Sequence, residues 1–330
     1  QFKSRRRDQR YLGGGRLMLG RLANNLFWMS RYLERAENNA RLLETYLRRG
    51  LSETYTEVDD WLAILAITGQ SASYDEKIGE HNQTAIINFI LREKDDPASV
   101  LNLVKQARQN ARIVRTALTR ETWQAINDFW LSLQHSLARP AVRNDLPLIL
   151  AKVREGNSLV RGAIEGTMLR NDIYHFIRLG ILIERSDNTA RHISSRYNVF
   201  LPTSYEGVEG VPMLKFEMIL DAVGVMRAYK WLNKGQIEPD GVIKFLLADS
   251  TMPRSLVYCY QDIIRQLVSL EADYEQPYEA VKLANKIQSD LTTTSNETFK
   301  LDDLLNFTSM FISENAALSL LVEKEFKFNP

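Results

Sequence analysis

YLERAENNARLL, residues 32–43, returns 150 residues later in the chain as LIERSDNTARHI, residues 182–193. Aligned, the two stretches share Glu-Arg, a small residue, an acid, Asn, a variable position, Ala and Arg, in the same order. Each lies in a longer segment whose apolar residues recur at steps of three and four, which is typical of an amphipathic helix. One polar string is therefore written twice, on two predicted helices of one chain.

The similarity between the two parts of the chain continues beyond these helices. Residues 61–74 align with residues 216–229, and Leu, Gly and Tyr coincide in both. Residues 89–100 align with residues 245–256, and Phe, Pro and Ser coincide in both. Because the blocks follow in the same order at nearly constant spacing, they indicate a tandem duplication.

The predicted fold is an all-α helical bundle built from two tandem, pseudo-symmetric repeats. Repeat 1 is assigned to residues 18–167 and repeat 2 to residues 168–330, and the two are expected to form one compact unit. No stretch alternates polar and apolar residues as a strand would. The helical segments predicted from periodicity and from Gly and Pro positions are 20–49, 57–69, 81–93, 98–137, 145–169, 213–233, 239–248, 254–272, 276–291 and 299–326.

The composition is that of a globular chain with a sizeable core. The chain has 330 residues, 45% of them hydrophobic, and one cysteine, Cys259, so neither a disulfide framework nor a cysteine-based zinc site is predicted. No apolar run is long enough to cross a membrane. A reducing, cytoplasmic setting is expected.

Charge is concentrated at the start of the chain. Residues 1–17 hold six Lys and Arg against one Asp, a net charge of +5, whereas the whole chain carries +1. The remaining residues are therefore mildly acidic, and no specific binding of nucleic acid is predicted. The basic segment is interpreted as a disordered leader or an appended, non-native segment.

The repeated string predicts a row of polar side chains on each helix. Spacings of three, four and seven return to the same helical face. Arg35 and Arg185 lie one step from each row's first acid and are expected to point elsewhere, about 100° around the helix. The two rows are Glu34, Glu37, Asn38 and Arg41, and Glu184, Asp187, Asn188 and Arg191.

Three interpretations of the rows stay open at this point. Glu34 could pair with Arg41, or with an arginine of the other repeat, in a half-buried network across the bundle. The two rows could instead line a cleft for a zwitterionic or peptidic ligand, or for a charged segment of a partner protein. Finally, Glu34 and Glu184 could act as acid and base on an amide, although no nucleophile is fixed beside them.

The two stretches, extended to residues 18–44 and 168–193, resemble the Alpha-E domain family, which is named for its Glu-Arg pair. The resemblance implies an all-helical tandem duplication and carries over to Glu34, Arg35, Glu184 and Arg185. It also implies a role in a bacterial system of peptide synthesis or modification, beside a circularly permuted ATP-grasp ligase, a transglutaminase-like protein and a peptidase. We therefore expect an accessory or binding subunit rather than an enzyme.

No cofactor or metal site is predicted. A di-iron bundle needs Glu-x-x-His on two helices, and only Asp172 and His175 come near that pattern. His192 is expected to be a partly exposed helix residue. The triple glycine at 13–15 precedes no Lys-Ser or Lys-Thr, so a phosphate-binding loop is not predicted either. If the chain takes part in ATP-dependent ligation, a partner must activate the carboxylate.

Overall fold

The structure, a computed structural model, describes residues 15–49, 58–80, 82–198, 211–294 and 301–328, and its regular elements are helices joined by short turns and loops. These ranges contain no strand, so the prediction of an all-α fold is confirmed. None of the helices in them combines the length and apolar character needed to cross a membrane. The helices are α1 (Gly15–Arg49), α2 (Val58–Thr68), α3 (Ser71–Lys77), α4 (Gln83–Arg92), α5 (Val100–Ile113), α6 (Arg120–Ser136), α7 (Leu146–Thr167), α8 (Asp172–Asn198), α9 (Val211–Val223), α10 (Met226–Leu232), α11 (Pro239–Ala248), α12 (Leu256–Tyr274), α13 (Glu279–Thr294) and α14 (Leu301–Glu325), with a short 3-10 helix at Arg115–Ala117.

The helices follow one another in a similar order in the two parts of the chain. Each part begins with its longest helix, α1 with 35 residues and α8 with 27. Three shorter helices come next, the second of which has seven residues in both parts. Three longer helices complete each part. This order fits two repeats, while their origin by duplication stays a prediction from the sequence.

The helices α1 and α8 pack against each other at the centre of the described structure. Their backbones approach closely at Gly180, where the methyl group of an alanine would lie 2.2 Å from Ser30 Oγ and 2.3 Å from the carbonyl oxygen of Phe27. Helices α5 and α7 cover α1, and α12 and α14 cover α8. The polar rows therefore lie on the two most enclosed helices, and apolar side chains of α1 and α8 surround them.

Two predicted helices are interrupted, and the short helix α3 is an addition to those predicted. The segment 98–137 is divided because α5 ends at Ile113 and α6 begins after Thr119, whose hydroxyl accepts a hydrogen bond from the Thr122 amide. The segment 213–233 is divided at Gly224, whose φ of +81° is favourable only for glycine. The aligned Gly69 also has a positive φ and separates α2 from α3.

The N-terminal part of α1 overlaps the segment interpreted from sequence as a basic leader. Helix α1 begins at Gly15, so residues 15–17, the last three of that segment, are helical. The rest of the predicted leader, residues 1–14, lies outside the described residues. His81 lies outside them as well.

Candidate functional site

The first acids of the two rows, Glu34 and Glu184, lie buried between α1 and α8, with only 2% and 3% of their surfaces exposed. The Nε and Nη2 atoms of Arg185 donate to the two carboxylate oxygens of Glu34 at 2.9 and 3.2 Å. The same atoms of Arg35 donate to Glu184 at 2.5 and 2.9 Å. Each glutamate is thus bound by the arginine that follows the other glutamate in sequence. We call these four residues the Glu-Arg cross.

This geometry corrects the expectation that Arg35 and Arg185 point away from the polar rows. Each arginine does lie one step around its own helix from the glutamate before it. However, α1 and α8 cross so closely that this step directs the long guanidinium side chain onto the neighbouring helix. Of the two partners considered for Glu34, the structure shows an arginine of the other repeat, Arg185, whereas Arg41 donates to Glu37 at 2.9 Å.

Further arginines surround the Glu-Arg cross. Arg31, one turn before Arg35, donates its Nε to Glu184 at 2.9 Å. Arg254, in the turn before α12, lies 3.5 Å from Glu34 and 3.4 Å from Glu37. Arg161 of α7 binds the fully buried Glu37. The buried carboxylates therefore have several cationic partners each, and the network joins helices of both repeats.

The arginines keep the two buried glutamates ionised. Burial by itself would raise the pKa of Glu34, but the positive charges of Arg185 and Arg254 outweigh it and lower that pKa to about 2. Likewise, burial opposes ionisation of Glu184, and Arg35 and Arg31 lower its pKa to about 2. An acid or base in catalysis needs a pKa near the working pH. Both glutamates are far from that condition.

The second acids of the rows differ between the two repeats. Glu37 is fully buried, and its pKa is lowered by Arg161 and Arg254, which overcome the effects of burial and of Glu34. Asp187 is partly exposed and is bound by Arg191 at 2.6 Å. Burial raises the pKa of Asp187 in spite of Arg191. The row of repeat 2 is therefore the more open one.

Residues of both rows meet at a small polar cavity of about 180 Å³, which we call the motif cavity. Asn38 and Asn39 are buried there, and Asn188 is partly exposed. Among the residues that the structure describes, the side-chain amide nitrogens of these three asparagines have no hydrogen-bond acceptor. The polar side chains that line the cavity are those of Arg35, Asn38, Asn39, Thr68, Glu184, Asp187, Asn188 and Arg191.

Two of the histidines, His175 and His192, and the cysteine, Cys259, are buried. His192 is completely buried, so the expectation of partial exposure is wrong. His175 Nδ1 lies 2.6 Å from Gln266 Oε1. Cys259 is buried, which raises its pKa to about 12. Within the described ranges, no three His, Cys, Asp or Glu side chains are grouped so as to hold a metal ion.

The chain belongs to the Alpha-E family, described as a predicted alpha-helical domain with a conserved ER motif, which matches residues 18–326. Relatives are uncharacterised proteins of Mycobacterium bovis and Mycobacterium tuberculosis, 26% identical to this chain over 272 residues. That alignment covers 77% of this chain but only 29% of each relative, so the chain spans less than a third of their length. No solved structure is significantly similar.

Proposed function

We propose that this chain is a binding subunit of a bacterial peptide synthesis or modification system, and that it works beside a circularly permuted ATP-grasp ligase. In this proposal the ligase performs the ATP-dependent chemistry in the cytoplasm. The chain holds the peptide, or a segment of the ligase, at the motif cavity. Its Glu-Arg cross keeps the two repeats in register.

The observation that carries this proposal is the reciprocal pairing of Glu34 with Arg185 and Glu184 with Arg35. Separating a buried carboxylate from its guanidinium would leave an uncompensated charge, at a cost of about 3–5 kcal/mol. A catalytic acid or base must exchange its proton in every turnover. The pairing therefore favours a structural role for the motif and argues against an enzyme that uses these glutamates.

The motif cavity supplies the binding part of the proposal. Three amide nitrogens that have no acceptor among the described residues are suited to carbonyl or carboxylate oxygens, which are the acceptors that a peptide carries. A volume of about 180 Å³ accommodates one side chain or terminal group rather than a whole peptide. The greater length of the mycobacterial relatives also fits a domain that acts beside other sequence.

The first test is co-purification of the chain with the ATP-grasp ligase from the same genome, followed by an assay of ATP-dependent amide formation. We expect a stable complex, and product formation that falls at least tenfold when the chain is omitted. A ligase that neither binds the chain nor responds to it would overturn the proposed partnership. Amide formation or cleavage by the chain alone would instead support the enzyme alternative.

The second test asks whether the motif cavity takes part. We expect Asn188→Ala to weaken the complex or the stimulated activity by about tenfold, as expected when a hydrogen bond is lost from a buried contact. Asn285→Ala, on the exposed face of α13, is the matched control and should change neither. If both variants behave like the unmodified chain, the cavity is not the contact and a scaffold role for the motif is favoured.

A further inference from the structure

A second cleft lies on the other side of the Glu-Arg cross, between α7, α8 and α12. Its volume is about 620 Å³, which is within the range of sites for small organic ligands. Its lining is rich in guanidinium groups, and we call it the arginine cleft. The lining includes Arg161, Glu165, Arg170, Tyr174, Arg178 and Arg265.

The arginine cleft carries an excess of positive charge. Five arginines line it, and Glu165 and Asp262 are the only acids among its lining residues, so the formal charge of the lining is +3. Glu34 and Glu37 lie behind the floor, but Arg41 and Arg254 accompany them. The excess of three positive charges therefore remains when this deeper layer is included. Such a surface attracts anions.

One carboxylate already occupies the mouth of the arginine cleft. Glu165, with its side chain 45% exposed, receives hydrogen bonds from Arg170 Nη2 at 2.8 Å and from Arg178 Nη1 at 3.3 Å. Tyr174 Oη donates to the same carboxylate at 3.0 Å. Two guanidinium groups and a phenol thus converge on one exposed acid near the end of α7, and together they form a complete carboxylate-binding set.

Arg178 is held in place by a buried acid while it also binds Glu165. Its Nη2 donates to the buried carboxylate of Asp262, which holds the guanidinium in place. Its Nε has no acceptor within the part of the chain that the structure describes. Arginine is suited to planar anions because its donors form a rigid fork. A carboxylate that replaced that of Glu165 would therefore meet the Nη1 donor of Arg178 already in position.

We propose that the arginine cleft binds a small organic anion, and that a carboxylate of this ligand takes the donors of Arg170, Arg178 and Tyr174 that Glu165 now occupies. Glu165 acts as an internal competitor, because its carboxylate must move aside when the ligand enters. The exposure of Glu165 makes this exchange feasible, since its carboxylate can turn into solvent. This inference is independent of the function proposed for the motif cavity.

The test uses citrate as the probe and isothermal titration calorimetry on the full chain. We expect Glu165→Gln to bind citrate about tenfold more tightly than the unmodified chain, because the substitution removes both the competing carboxylate and its charge. Glu279→Gln is the matched control, since Glu279 is an exposed acid on α13 outside the cleft. Equal affinity for citrate in all three proteins would overturn the proposal.

Removal of the arginine donors is a second test, in which citrate binding should become weaker rather than tighter. Arg178→Gln and Arg170→Gln should each weaken citrate binding by at least about tenfold, the factor that one lost charged contact typically costs, with circular dichroism used to check folding. If Arg178→Gln fails to fold because Asp262 loses its partner, Arg170→Gln decides the question. Unchanged citrate binding in Arg170→Gln would contradict the proposed site.

A parallel titration with inorganic phosphate distinguishes the ligand class, because tighter binding of phosphate than of citrate would exclude the carboxylate assignment.

Discussion

Glu34 and Glu184 lie on the two central helices, and each is bound by the arginine that directly follows the other in the sequence. This exchange of partners links the two helices, because the glutamate and the arginine of one dipeptide form their ion pairs with the other dipeptide and not with each other. It also explains why glutamate and arginine must be adjacent. The carboxylate of the glutamate accepts hydrogen bonds from the opposite helix. The guanidinium of the next residue donates hydrogen bonds to the opposite helix at the same level.

We expect Glu34→Gln to lower the free energy of unfolding by about 3–5 kcal/mol, because Arg185 and Arg254 would keep their charges without the carboxylate that both share. The measurement is urea denaturation at pH 7. Glu76→Gln, at an exposed position of α3, serves as the control and should change stability by less than about 0.5 kcal/mol. A Glu34 variant as stable as this control would mean that the cross does not hold the fold.

Stability should depend on pH in the acid range. The pKa values of Glu34 and Glu184 fall from 4.5 to about 2 on folding. The unfolded chain then binds more protons between these values, so the stabilisation is complete above pH 4.5 and is lost as the pH falls toward 2. Each carboxylate contributes on the order of 3 kcal/mol to this loss.

Denaturation at about pH 7, 4 and 3 measures the acid loss of stability. Glu184→Gln should show a shallower loss than the unmodified chain, since one of the groups whose pKa is lowered on folding no longer titrates. Asp187 has the opposite effect on the pH dependence of stability, because its pKa is raised on folding. Asp187→Asn should therefore keep the acid loss, and a curve as shallow as that of Glu184→Gln would contradict this assignment of the titrating groups.

The close approach of α1 and α8 predicts a strong effect at Gly180. A methyl group there would overlap Ser30 Oγ and the carbonyl oxygen of Phe27, so Gly180→Ala should destabilise the chain by about 3 kcal/mol or more. Gly162→Ala on α7 meets no atom within 4 Å and is the matched control. It should stabilise by up to about 1 kcal/mol through helix propensity. Thermal unfolding of both variants gives the comparison, and a neutral Gly180→Ala would refute the crossing geometry.

The aligned serines before α5 and α12 should act as helix N-caps of similar strength. Ser99 Oγ accepts from the amide of Asn102, and Ser255 Oγ accepts from that of Tyr258. Replacement of either serine by alanine should cost about 1–2 kcal/mol in chemical denaturation. Ser289→Ala, on the exposed face of α13, should cost nothing. Equal stabilities in all three variants would show that the caps do not matter.

The fold class and most helices could be predicted from the sequence because periodicity and glycine positions are local properties. The interruption at Gly224 has one signal in the sequence, the alignment of Gly224 with Gly69 at the end of a predicted helix, but the apolar segment that continues on both sides obscures it, and the φ of +81° establishes the turn. The break after Ile113 is hidden for a similar reason. There Thr119 begins a new helix within a segment that keeps a helical composition.

The candidate site was predictable only in part. The repeated string identified Glu34 and Glu184, but their exchange of partners depends on the angle and distance at which two helices cross. Arg254 could not be found by the repeat, because its aligned position in repeat 1 is Ala98. The arginine cleft gave no sequence pattern either, since Glu165 and Arg178 come from different helices and meet only in the folded chain.

The Glu-Arg cross has an evolutionary consequence. An exchange of partners across a two-fold arrangement is self-complementary, so a single ancestral repeat could have satisfied both of its charges by pairing with a second copy of itself. Once two such units were fused, loss of a charged residue from one of them would have left a buried charge of the other without its partner. The two Glu-Arg dipeptides are therefore expected to persist or disappear together, even where the surrounding sequences of the two units have drifted apart.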